Sequence, residues 1–145
     1  MAKVLVVYCS MSGNTKAAAE AVADGARKAG AKVTLKSASE AQPEDLRGCD
    51  AVALGSYDLF DFMGGELKFF LDRTADAGSK GVAGKPYAAF LTYGGEGKAI
   101  ASIEALAQAL KLKSVAPSVG VQGCPDAEGA AELKALGTQL AKAAK

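Results

Sequence analysis

Histidine and tryptophan are absent from this chain of 145 residues, and cysteine and proline are scarce, at three and four. Without histidine, neither a Ser-His-Asp set nor a Cys-His pair can be assembled, and no zinc site can draw on an imidazole. The cysteines Cys9, Cys49 and Cys124 are scattered with no CxxC pair among them, so they read as reduced thiols rather than a disulfide framework or a metal site. A charge excess of one sign is lacking too. The 17 Lys and Arg residues nearly cancel the 16 Asp and Glu, which leaves no basic stripe of the kind that follows nucleic acid backbones. Apolar stretches such as Ala51 to Gly55 and Tyr87 to Leu91 fall far short of the ~18 to 20 residues that span a bilayer. The apolar part of the start, Val4 to Val7, is too short for a secretory leader. A cytoplasmic protein with neither nucleic acid nor membrane as partner is expected.

What is present is the balance of an ordinary globular chain, 50% apolar and 23% charged, enough for one domain over residues 1–145 with a single core. Strands and helices alternate along it. Lys3 to Tyr8 is a continuous apolar run suited to a strand buried on both faces. From Asn14 to Ala29, residues Ala18, Val22, Gly25, Ala26 and Ala29 recur at helical spacing, and Gly30 stands where a helix ends. Ala31 to Leu35 reads as a second strand, and Ser37 to Asp50 as a connection with a brief helical turn at Pro43. Ala51 to Gly55 is a third strand. Gly65 to Thr74 is its helix, with Leu67, Phe70, Leu71 and Thr74 on one face.

Pro86 to Tyr93 gives a fourth strand, and Lys98 to Leu110 a helix with Ile103, Leu106 and Leu110 in a stripe. Val115 to Val121 gives a fifth strand, which Pro117 assigns to a sheet edge. Asp126 can cap a last helix whose Leu133, Leu136 and Leu140 face inward. Such alternation specifies an α/β three-layer sandwich, a five-stranded parallel sheet of order 2-1-3-4-5 with helices on both faces. Ligands of such sheets lie beyond the carboxyl ends of the strands, where the winding direction reverses between the first and third. The loops 9–15, 56–64 and 93–98 therefore carry the candidate site.

The first loop, Ser10-Met11-Ser12-Gly13-Asn14-Thr15, groups hydroxyl and amide side chains around one glycine and holds no charge. At a helix N-terminus that composition suits a phosphate, since unpaired N–H groups and the positive end of the dipole favour an anion. Ser12 or Asn14 could also simply cap the helix. The loop has neither a GxGxxG nor a GK[ST] pattern.

With Ser10, Ser12, Gly13 and Thr15 at every constrained position of Ser/Thr-x-Ser/Thr-Gly-x-Thr, the chain resembles the flavodoxins. The resemblance extends through Leu54-Gly55-Ser56, Leu67 to Asp72 and Phe90 to Gly94, and the length matches the short-chain members. It implies the flavodoxin-like fold, one bound flavin mononucleotide (FMN) and the role of a monomeric electron carrier. Its redox partners would be a reductase that donates electrons and an enzyme that accepts them. The implied cofactor-binding residues are Ser10, Met11, Ser12, Gly13, Asn14 and Thr15 in the first loop, Ser56, Tyr57, Asp58, Leu59 and Phe60 in the second, and Tyr93, Gly94, Gly95 and Gly97 in the third. Tyr57 and Tyr93 suit the apolar faces of the flavin ring. The glycines let backbone approach a ligand closely.

Two features depart from the family pattern. Asp58 to Asp61 contains no glycine where flavodoxins commonly place a small residue that lets a peptide turn over toward the flavin N5. The chain is also near neutral, whereas family members are usually strongly acidic. The alternative on the same fold is an FMN-dependent NAD(P)H:quinone or FMN reductase, which Gly64 to Asp72 and Gly81 to Lys85 resemble as well. A receiver-type signalling module is disfavoured, because Tyr8-Cys9 and Gly55-Ser56 stand where its acidic residues belong.

Overall fold

A computed structural model describes residues 1–144. The strands are β1 (Lys3–Tyr8), β2 (Lys32–Ser37), β3 (Ala51–Leu59), β4 (Phe62–Met63), β5 (Pro86–Tyr93), β6 (Lys113–Ser114) and β7 (Val119–Gln122). The helices are α1 (Asn14–Lys28), α2 (Pro43–Gly48), α3 (Gly65–Asp76), α4 (Ile100–Ala109) and α5 (Ala127–Ala143).

The sheet runs β2-β1-β3-β5, with β6 and β7 both pairing β5 and every one of these pairs parallel. This is the expected order, with the fifth strand divided in two. Pro117 has no N–H for the ladder, so the chain leaves β5 after Ser114 and rejoins it only at Val119.

The strand alternation sorts side chains to two faces. Val4, Val6, Ala51, Ala53, Ala88 and Phe90 pack against α1 and α5, while Leu5, Val7, Val52, Leu54, Ala89 and Leu91 meet α2, α3 and α4. Small residues let these layers close. A Cβ on Gly55 would overlap the Phe90 ring, one on Gly25 the Lys134 carbonyl, and one on Gly137 the Val22 carbonyl. Helices α1 and α5 thus touch backbone to backbone, and Thr138 Oγ1 donates to the Gly25 carbonyl at 3.2 Å.

Helix ends follow local chemistry. α1 stops at Gly30, φ +94°, whose N–H donates to Arg27 while that of Ala31 donates to Ala26, the paired bonds of a glycine-terminated helix. α5 starts at Asp126, whose carboxylate accepts from Gly129 N–H at 2.8 Å, as its capping role required. The 37–50 connection contains α2, a full short helix in which Gln42 and Asp45 form a reciprocal cap. In α4 the inward residues are Ile103 and Ala107, with Leu106 and Leu110 only half-buried against them; the helix starts at Ile100, later than its sequence pattern suggested.

Candidate functional site

β1, β3 and β5 lie side by side in the sheet, so their carboxyl ends bring three loops to one edge. The first loop turns at Gly13, whose φ of +96° lies in the left-handed region that favours glycine. A Cβ there would meet nothing within 4 Å, so conformation rather than space selects the residue. Ser10 Oγ accepts from Gly13 N–H at 3.1 Å and Lys16 N–H at 3.3 Å, which holds the loop and keeps its own proton for another acceptor. The N–H groups of Asn14 and Thr15 belong to the first turn of α1, where a helix has no internal acceptors. That first turn carries no acidic residue, whereas those of α2, α3 and α5 do. Its positive dipole end is therefore not neutralised by an acidic side chain of that turn.

The second loop is more ordered than the sequence suggested. β3 runs on to Leu59 and turns back as an antiparallel hairpin, pairing Asp58 with Met63 and Leu59 with Phe62. Phe60 and Asp61 at the turn have φ of +57° and +62°. Two positive φ values at a two-residue connection define the turn type that matches strand twist, usually filled by Asn-Gly. Asp58 compensates. Its Oδ1 accepts from Asp61 N–H at 2.9 Å and its Oδ2 from Ala99 N–H at 3.0 Å, so one carboxylate ties the hairpin to the segment leading into α4. Ser102 Oγ accepts from Met63 N–H at 3.0 Å as a further tie.

Ser56 is fully buried beneath this hairpin. Its hydroxyl accepts from Gly64 N–H at 2.7 Å and from the Cys9 thiol at 3.3 Å, and donates to the Tyr57 carbonyl at 2.7 Å. Having spent its proton, Ser56 braces the loop. Burial pushes the Cys9 thiol up from its ordinary value, with the Ser56 bond offsetting part of the rise. Tyr57 is also pushed up by burial. A Cβ on Gly64 would press on both Tyr57 and Cys9, so this glycine makes room for the tyrosine.

In the third loop Tyr93 lies over Gly97 and Gly120, where an added Cβ would come within 3.1 and 3.3 Å of its ring. Gly97 has φ +75°, while Gly94 and Gly95 border open space. Gln122 Nε2 donates to the Gly94 carbonyl and Gly123 N–H to that of Tyr93, which fastens this loop to the end of β7.

The loops enclose a cleft of about 170 Å³ lined by Ser12, Asn14, Tyr57, Asp58, Thr92, Tyr93, Gly94 and Gly123. Six of the fifteen candidate residues therefore share its wall. Thr92 and Gly123 were missed. Thr92 read only as strand, and Gly123 lies after the edge strand in a loop with no other signal. Ser10, Gly13 and Thr15 shape the adjoining loop, and Ser56 lies beneath. Met11, Leu59 and Phe60 stand outward, Met11 being 73% and Phe60 93% exposed. Among the described residues no cluster of three or more His, Cys, Asp or Glu could hold a metal ion, and no helix is long and apolar enough to cross a membrane.

A sheet of this order, with an uncharged hydroxyl-rich turn at its first helix and tyrosines toward the ends of β3 and β5, is the arrangement of the flavodoxin-like class. The flavodoxin family model matches residues 6–136, and the chain belongs to that family. It is similar to a flavodoxin of Aquifex aeolicus, 40% identical over 98 residues that make up 67% of this chain and 53% of that protein. An NAD(P)H dehydrogenase (quinone) of Archaeoglobus fulgidus is 35% identical over 51% of this chain and 52% of its own length. The chain thus spans about half the length of these curated relatives. Among solved structures, a flavodoxin from the domain Archaea superimposes with a TM-score of 0.91 and 31% identity, covering 98% of both chains.

Proposed function

We propose that this chain binds one FMN at the three-loop cleft and carries electrons between redox proteins, taking them from a reductase and passing them to an acceptor enzyme. The observation that carries this reading is the convergence on one cleft of Ser12 and Asn14, from an acid-free helix start, with Tyr57 and Tyr93. The residues fit the group. The phosphate is assigned to Ser10, Ser12 and Thr15 with the backbone of Met11 and Asn14, on the turn that Gly13 makes, because hydroxyl protons and N–H groups at a helix start bind an anion without a cationic side chain. The flat ring is assigned to Tyr57 and Tyr93, with backbone from Asp58, Leu59, Phe60, Gly94, Gly95 and Gly97 for its polar edge. Ser56 holds the Tyr57 peptide in place.

Bound FMN supplies reversible electron uptake and release. The protein's own part is to bind it, orient it and keep one edge open to partners. No side chain at the cleft is needed as a general acid, base or nucleophile, in keeping with a chain that lacks histidine. We place the carrier in the cytoplasm and as a monomer.

The quinone reductase reading shares the cofactor and is favoured by the Archaeoglobus relative. The two separate on the source of electrons. Under anaerobic conditions the FMN-loaded protein is expected to be reduced by dithionite or by a flavoprotein reductase, and to keep its visible spectrum when given NADPH alone. Rapid bleaching by NADPH, with quinone turnover, would overturn the carrier reading in favour of the enzyme.

A further inference from the structure

Thr15 and Thr92 are 77 residues apart in sequence, yet their hydroxyl oxygens lie 2.7 Å apart. Both residues are almost wholly buried, at 1% and 3% exposure. Thr15 sits in the first turn of α1, directly after Asn14, and Thr92 stands opposite Tyr57 in the β3–β5 ladder. Thr92 also lines the cleft beside Ser12 and Asn14. The pair is therefore a direct side-chain link between the first loop and the strand that leads into the third.

Each hydroxyl has one proton, and only one of the two can serve the bond between them. If Thr15 donates to Thr92, its proton is spent and it can offer an anion only lone pairs. If Thr92 donates to Thr15, the Thr15 proton is free for an acceptor in the loop. An anion at the helix start selects the second arrangement, and hydrogen bonds in series strengthen one another in a buried setting. Thr92 then fixes both the rotamer and the proton direction of Thr15.

We propose that Thr92 is a positioning residue for phosphate recognition, acting through Thr15 rather than by touching the phosphate. This rests on the assignment of the first loop to the FMN phosphate. It makes the cleft discriminate the phosphorylated flavin from the unphosphorylated one by a residue outside the phosphate loop. Thr92→Val preserves shape and removes the donor.

The test is a pair of fluorescence titrations, FMN and riboflavin, on the wild type, Thr92→Val and Thr92→Ser. Thr92→Val is expected to weaken FMN about fivefold or more while leaving riboflavin within about twofold, and Thr92→Ser to restore FMN binding, because it restores the donor. Combining Thr92→Val with Thr15→Val should add little to Thr15→Val alone, as residues acting as a unit are not additive. Equal losses for the two flavins, or no loss for FMN, would overturn the proposal. Failure of the wild type to bind FMN would instead remove the reading on which it rests. Thermal melts of the flavin-free variants identify any Thr92→Val protein that does not fold, in which case Thr92→Ala with the same two flavins decides.

Discussion

Gly13 carries the sharpest conformational demand in the first loop, and its demand is separable from packing because the space around it is open. Gly13→Ala is expected to cost about 1 to 2 kcal/mol in urea unfolding, the penalty of a left-handed L-residue. FMN affinity should fall with it as the loop relaxes. Asp58 is the other residue whose loss should be felt at a distance. Asp58→Ala frees the N–H groups of Asp61 and Ala99 from a charged acceptor, and bonds of that kind contribute ~1.5 to 3 kcal/mol each when buried. Asp58 is only half-buried, so a total near 2 kcal/mol is expected, with amide exchange speeding up at both Asp61 and Ala99. Unchanged exchange at Ala99 would show that the carboxylate does not bridge the two loops. Residue identity was legible at Gly13, where turn and helix start coincide. Asp58 was legible as a site residue but not as a bracket, since its two partners lie three and 41 residues away.

At the scale of elements, the hairpin of β3 and β4 departs most from its local sequence preference. Two residues with positive φ at its tip, one a phenylalanine exposed to solvent, are a choice that folding alone does not favour. Replacing Phe60-Asp61 by Asn-Gly should stabilise the protein by about 1 kcal/mol or more, because those residues accept the turn geometry readily. A drop in melting temperature would mean that the turn is held by contacts of the Phe60 ring. The same strain explains why the segment read as loop: Asp58 to Asp61 lacks the glycine or asparagine that announces a hairpin. The contact of α1 with α5 makes the opposite case. Gly25 and Gly137 sit inside helical patterns where alanine has the better propensity by ~1 kcal/mol, yet a Cβ at either would overlap a carbonyl of the facing helix. Gly137→Ala is therefore expected to destabilise by roughly 1 to 3 kcal/mol, the cost of overpacking. Hydrophobic periodicity showed both helices and their inward faces. It could not show that they touch through glycine, because helical spacing carries no information about the partner helix.

Over the whole molecule, the order of layers was legible from alternation alone, because each parallel crossover needs a helix and each buried strand reads as a continuous apolar run. The divided edge strand was only half legible: Pro117 marked the edge but not the four-residue departure from the ladder. The cysteines illustrate how the fold sets reactivity. Cys9 and Cys49 are buried, with thiols pushed up chiefly by burial, while Cys124 is exposed. A raised pKa keeps a thiol protonated at neutral pH, and the thiolate is the reactive form. Native protein treated with a maleimide near pH 7 is thus expected to label at one position, Cys124, with the other two appearing only on denaturation. Labelling of Cys9 in the folded protein would show that the floor beneath the hairpin opens.

The binding of FMN at the three-loop cleft is tested most directly by titrating free FMN with the purified flavin-free protein and following flavin fluorescence. Quenching that saturates at one protein per FMN, and that is weakened by Ser12→Ala and by Gly13→Ala, is the expected result. Fluorescence that stays at the level of free FMN across protein in excess, while the circular dichroism remains that of a folded α/β protein, would contradict the assignment of this cleft to the cofactor.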